Sequence, residues 1–122
     1  MLNILVVDDD AAVREIIGDG LDAEGRSFAY AASGAEALAK IANARFDLVI
    51  LDRAMPEMSG LQVLKSLRAN PATAQLKVIV CTGSERMAEV DEAFAAGAND
   101  YIVKPPDFEK LNAKVAHHTR PG

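Results

Sequence analysis

Five short apolar runs, each followed by a segment of helical periodicity, constrain this chain more than any other feature of its sequence. The runs are Ile4-Leu5-Val6-Val7, Ser27 to Ala31, Phe46 to Leu51, Leu76 to Cys81 and Tyr101-Ile102-Val103. Most are β-branched and nearly continuous, as expected of strands covered on both faces, and the run at Ser27 to Ala31 is the weakest. Asp10 is placed to cap a helix carrying Val13, Ile16, Ile17 and Leu21 on one face, with Gly25 as its stop. Ser33-Gly34-Ala35-Glu36 has the form of a capping box ahead of Leu38, Ile41 and Ala42. Ser59 precedes Leu61, Leu64 and Leu67, and Asn70-Pro71 ends that helix. Ser84 precedes Met87, Val90 and Phe94, with Gly97 as the stop, and Asp107 precedes Phe108, Leu111 and Val115.

Short linkers between alternating strands and helices predict an α/β fold with a parallel sheet and helices on both faces. At 122 residues the chain reads as one domain, and 50% hydrophobic content is enough to fill a single core. No internal repeat, low-complexity tract or second domain is visible, and His117 to Gly122 reads as a fraying end or the start of a linker.

In an open α/β sheet, ligands bind beyond the carboxyl ends of the strands. The first strand ends on Asp8, Asp9 and Asp10, the third on Asp52 and the fourth on Cys81 and Thr82; Lys104-Pro105 follows the fifth. A flavodoxin-like, doubly wound order of 2-1-3-4-5 sets those four ends side by side. Each residue alone has an ordinary reading as a cap, a turn or a solvated charge. Their joint placement on four of five strand ends is what points to chemistry.

Clustered carboxylates repel one another and repel phosphate. Magnesium reverses that sign, takes oxygen ligands and is usually held by one or two carboxylates together with phosphate oxygens. One carboxylate can then attack a phosphoryl group and become an aspartyl phosphate. Thr82 can donate to a phosphoryl oxygen, and Lys104 can supply a positive charge. Lys104-Pro105 is a candidate cis peptide.

Composition narrows the partners. With 13 basic and 18 acidic residues the net charge is -5, which disfavours nucleic acid as a direct partner. The single cysteine, Cys81, excludes an internal disulfide and fits a cytoplasmic setting. It lies in an apolar run and reads as an inert core thiol. The N-terminus has no basic n-region, and no run approaches the roughly 18 apolar residues of a membrane span. Met55 and Met58 read as loop packing, and the adjacent His117 and His118 as surface residues.

Taken together, these residues are similar to the receiver domain of two-component response regulators, from Leu2 to about Val115. The resemblance rests on Ile4-Leu5-Val6-Val7-Asp8-Asp9-Asp10, on Asp47-Leu48-Val49-Ile50-Leu51-Asp52 with Met55-Pro56 and Gly60, on Val78-Ile79-Val80-Cys81-Thr82-Gly83, and on Gly97-Ala98-Asn99-Asp100-Tyr101-Ile102-Val103-Lys104-Pro105. It implies that Asp52 is the phosphoacceptor and that Asp8, Asp9, Asp52 and the backbone carbonyl of Ala54 hold Mg2+. It further implies that Thr82 and Lys104 contact the phosphoryl group and that Tyr101 is a switch aromatic. The implied donor is a sensor histidine kinase or a histidine phosphotransfer protein. Output is implied through the face of the fourth helix, fifth strand and fifth helix, with Arg86, Glu89 and Val90 on it. A receiver of this kind catalyses its own phosphorylation and dephosphorylation and is not an enzyme acting on other substrates.

Several positions depart from the commoner pattern. Ala54 and Ser84 flank the expected path of the attacking water, which leaves the phosphoryl lifetime open. Ser59 stands where an aspartate is common, Arg53 reads as a solvated surface arginine, and Gly83 leaves the pocket mouth open. An aspartyl-phosphate phosphatase typically carries a second aspartate two after the first, where this chain has Ala54. A nucleotide-binding module needs a glycine-rich first loop, where this chain has carboxylates. A degenerate receiver serving only as an interaction scaffold is the remaining alternative. The chain is expected to be a receiver domain over residues 1–122 with no output domain.

Overall fold

The computed structural model describes residues 1–120, in which strands and helices alternate throughout. They are β1 (Leu2–Val7), α1 (Ala11–Leu21), β2 (Arg26–Ala31), α2 (Gly34–Asn43), β3 (Leu48–Asp52), α3 (Gly60–Ala69), β4 (Lys77–Thr82), α4 (Met87–Ala95), β5 (Asp100–Val103) and α5 (Phe108–His118). All strand pairs are parallel, in the order β2-β1-β3-β4-β5. The parallel sheet is as the alternation predicts, and its order is the flavodoxin-like, doubly wound one expected.

Strand side chains alternate between two apolar layers, because successive residues point to opposite faces of a sheet. Leu5, Val7, Val49, Leu51, Val78 and Val80 meet Ala37 of α2, Val63, Leu64 and Leu67 of α3 and Ala93 of α4. On the other face Ile4, Val6, Leu48, Ile50, Ile79 and Cys81 meet Ile17 and Leu21 of α1 and Leu111 and Val115 of α5. β3 is buried along its whole length. Each fully buried Leu, Ile or Val contributes about 1.5–3 kcal/mol, so the central strands fix the frame on which their ends are carried.

The expected caps hold in most places. Asp10 accepts from Ala12 N and Val13 N, and Asp107 from Glu109 N and Lys110 N. Ser59 and Gln62 form a reciprocal capping box. Ser33 accepts from Glu36 N, while the Glu36 carboxylate accepts from Ala32 N, one residue earlier than a capping box requires. Gly97 follows the end of α4 at φ +109, a conformation side chains disfavour.

Five expectations are corrected. Ile16 is 55% exposed, because Ile17 and Leu21 already fill the buried stripe of α1. α1 stops at Leu21 with Asp22 as its cap, and Gly25 instead makes the turn into β2, its carbonyl accepting from Leu2 N at 2.7 Å. Ser84 lies in a loop, and α4 starts at Met87 after an Arg86 that makes no side-chain cap bond. Met87 and Phe94 are 73% and 45% exposed, because β5, only four residues long, offers α4 little apolar surface. His117 and His118 belong to α5 rather than to a fraying tail, and the rest of that tail, Pro121 and Gly122, lies outside the described residues. No described helix is long and apolar enough to cross a membrane.

Candidate functional site

Sheet register assembles the site. Val7 pairs with Leu51, so the next residues, Asp8 and Asp52, emerge together at the ends of β1 and β3. Asp52 pairs with Cys81, which places Thr82 one step beyond it. Thr82 pairs with Val103, and Lys104 follows, its N–H donating to Thr82 O at 2.7 Å. Residues up to 96 positions apart in sequence are therefore brought within one or two register steps.

Asp8, Asp52 and Thr82 are buried, whereas Asp9 is exposed at the rim. Carboxylate oxygens of Asp8, Asp9 and Asp52 lie within 4.8 Å of one another. Three hard oxygen donors at that spacing suit a hard divalent cation such as magnesium. Asp8 Oδ1 accepts from Asp10 N at 2.9 Å, and Asp8 Oδ2 from Lys104 Nζ at 2.6 Å. Lys104 Nζ also donates to Asp52 Oδ1 at 3.1 Å, and Ala54 N donates to the same oxygen at 3.4 Å. The Lys104-Pro105 peptide is cis.

Charge and burial act in opposition here. Burial, and then the Asp8 charge, raise the Asp52 pKa; Lys104 and the Ala54 N–H oppose them only in part. Burial disfavours the Lys104 ammonium, but its bonds to Asp8 and Asp52 outweigh that and hold its pKa above the ordinary value. The Cys81 thiol is pushed up to about 12, chiefly by burial, so it is an inert core group.

The loop after Asp52 is clamped. A carbon added at Gly60 would sit 2.1 Å from Asp52 O, so only glycine lets α3 start this close to the site. Gly60 N donates to Arg53 O at 2.8 Å. Met55 is buried in the core, as loop packing requires, whereas a carbon at Gly83 would meet nothing within 4 Å, so the mouth is open there.

Three partners were not foreseen from the sequence. Arg14 Nη1 donates to Asp8 O at 2.7 Å and steadies the β1–α1 turn; its place in the second turn of α1 was the available signal. Arg53 is not a solvated surface arginine: it donates to Glu89 O at 2.9 Å and pairs with the Glu92 carboxylate. His118 shares Asp100 with Lys114, at 2.9 and 2.8 Å. Burial raises the Asp100 pKa, but the bonds from Lys114, His118 and Tyr101 N outweigh it and hold the carboxyl below its ordinary range. The Tyr101 phenol donates to Ser84 O, in the loop leading into α4.

Comparisons with known proteins agree with this geometry. A family model described as the response regulator receiver domain matches residues 4–116. The response regulator MprA of Mycobacterium sp. (strain KMS) is 42% identical over 114 residues, covering 93% of this chain and 49% of that protein. The transcriptional regulatory protein ZraR of Salmonella typhimurium is 40% identical over 123 residues, covering 98% of this chain and 27% of that protein. The chain thus spans about half the length of the first relative and about a quarter of the second. Among solved structures, the chemotaxis protein CheY4 of Vibrio cholerae superposes with a TM-score of 0.88 at 32% identity, covering 98% of this chain and 99% of that one. A CheY-like receiver domain protein of Methanospirillum hungatei gives a TM-score of 0.87 at 32% identity, covering 96% and 92%. With the family model running across nearly the whole sheet and every strand end that carries the site, the chain belongs to the response regulator receiver domain family.

Proposed function

We propose that Asp52 accepts a phosphoryl group from a phosphohistidine on a sensor histidine kinase or phosphotransfer protein, and that the adduct switches partner binding. The observation that carries this reading is the cluster itself: three carboxylates within 4.8 Å, with Lys104 bonded to two of them. Both bonds described for Asp52 go to Oδ1, which leaves Oδ2 to attack phosphorus. The O–P bond forms as the N–P bond to the donor imidazole breaks, and the imidazole leaves with the electron pair.

Asp8, Asp9, Asp52 and the Ala54 carbonyl are the proposed ligands of Mg2+, which when bound offsets both the repulsion among the carboxylates and the charge of the phosphoryl group. Lys104 moves from Asp52 to a phosphoryl oxygen, and Thr82 donates its hydroxyl to another. Tyr101 senses the change through the β4–α4 loop, where its phenol bonds Ser84 O. The output face comprises α4, β5 and α5, on which Met87 and Phe94 are exposed. The chain acts as a receiver unit over its described length and promotes its own phosphorylation and dephosphorylation.

Incubation with magnesium and a small acyl phosphate, followed by intact mass, tests the proposal. One phosphoryl adduct, absent in Asp52→Ala, supports it. No adduct under any condition supports the degenerate scaffold instead, and repeated turnover of added phosphoesters supports a phosphatase.

A further inference from the structure

The residue that follows Asp52 makes contacts that the chemistry above does not use. The backbone of Arg53 is pressed against the start of α3, through Gly60 N to Arg53 O at 2.8 Å and the close approach of Gly60 to Asp52 O. Its side chain crosses to α4, where Nη1 donates to Glu89 O at 2.9 Å and Nη2 pairs with the Glu92 carboxylate. The Arg53 side chain is 15% exposed, so this is a settled contact rather than a solvated charge.

α4 has little else to hold it. Ala93 is its one buried residue, and no side chain caps its N-terminus. Arg53 adds two side-chain bonds to that seat, one to the backbone of Glu89 and one to Glu92. The same turn also carries an unrelieved cost, since Glu89 Oε2 is buried with no hydrogen-bond partner. Glu89 and Glu92 stand three apart, on one face of the helix. Arg53 is thus bonded to the Glu92 carboxylate and to the Glu89 backbone carbonyl.

We infer that Arg53 is a positioning residue that couples the charge on Asp52 to the seat of α4, an inference that rests on the phosphorylation proposed above. The acyl phosphate carries about -1.5 to -2 of charge where the free carboxylate carried about -1, so the charge beside Arg53 in the chain grows and moves outward onto the phosphoryl oxygens. An arginine bond to phosphate or to a buried carboxylate is strong, whereas a pair with an exposed carboxylate is weak. Glu92 is 55% exposed, so it is the partner most easily given up. As Arg53 turns from Glu92 toward the new charge, α4 loses that anchor and settles in a second position. The Tyr101 phenol bonds the loop before α4 and also lies near Arg53 and Glu89, whose charges act on it in opposite directions. Coupling of this kind is reciprocal, so fixing α4 also changes the reactivity of Asp52.

Hydrogen exchange of the α4 amides in the full chain tests the inference. It is read with magnesium present, with and without beryllofluoride as the phosphoryl mimic, while phosphodonor adducts are followed by intact mass. In wild type, exchange across Val90 to Ala95 is expected to speed up about fivefold or more with the mimic. In Arg53→Ala that difference shrinks by at least half while the adduct still forms, and Arg53→Lys is intermediate because it keeps charge but loses the fork. Glu92→Gln moves the untreated protein toward the mimic-bound rate. A merely structural role predicts faster exchange in both states with an unchanged ratio, and that result overturns the inference. An adduct without any response of α4 in wild type also overturns it and leaves the proposed function standing. No adduct at all removes both.

Discussion

Lys104 Nζ lies 2.6 Å from Asp8 Oδ2, closer than the 3.1 Å that separates it from Asp52 Oδ1. The lysine is thus tied first to Asp8 and only second to Asp52. It holds two buried carboxylates together in a site that would otherwise push them apart.

Removing that ammonium leaves both carboxylates without a counter-charge, each with only a backbone N–H. Lys104→Met is expected to lower stability by about 1–3 kcal/mol in urea unfolding without divalent cations. Millimolar magnesium should recover much of the loss and should also raise the melting temperature of wild type. Indifference of both proteins to magnesium would argue against the proposed ligand set.

The pH dependence has a definite sign. The folded state raises the Asp52 pKa above 3.8, so it binds that proton more tightly than the unfolded chain does. Ionised Asp52 therefore costs stability above its folded pKa, and the cost disappears below the ordinary value of 3.8. Asp52→Asn should be more stable than wild type at neutral pH, with the gain shrinking as pH falls through the raised pKa. Asp100 behaves oppositely: its lowered pKa contributes stability above 3.8 that is lost as pH falls through the lowered value. Asp100→Asn should be less stable than wild type at neutral pH, and thermal melts from pH 3 to 8 check both slopes.

Gly83 directly follows Thr82, and a Cβ added there meets empty space in the folded protein. Gly83→Val should therefore fold normally and slow phosphorylation by a small acyl phosphate severalfold. Equal rates in the two proteins would show that the mouth is not limiting.

Packing of α1 against α5 depends on Gly20. A carbon added there would lie 2.2 to 2.5 Å from the half-buried Phe108 ring, so the ring must shift to admit it. Gly20→Ala should destabilise by about 1–3 kcal/mol despite the better helix propensity of alanine. Phe108→Leu in the same chain should restore part of the loss, measured by urea unfolding.

Most of the site was legible because its residues stand at strand ends. Asp8, Asp52, Thr82 and Lys104 each follow a short apolar run, and the flavodoxin-like strand order that sets those ends side by side is the one observed. The caps at Asp10, Ser59 and Asp107 were legible for a local reason, since a cap bonds to residues two or three positions away. α4 was misjudged at both its start and its face. Met87, Val90 and Phe94 have the periodicity of a buried stripe, yet the short β5 offers α4 little surface to bury it on.

The sequence by itself determined the order of elements, the parallel sheet and the gathering of acids, hydroxyl and lysine at one end, because these follow from periodicity and short connections. Only the tertiary structure decided that Arg53 holds α4, that Arg14 steadies the Asp8 turn and that Asp100 draws in His118. Each of those bonds joins elements whose separation and rotation are set by packing across the sheet. A charged side chain carries no periodic signal that says which distant carbonyl or carboxylate it will reach.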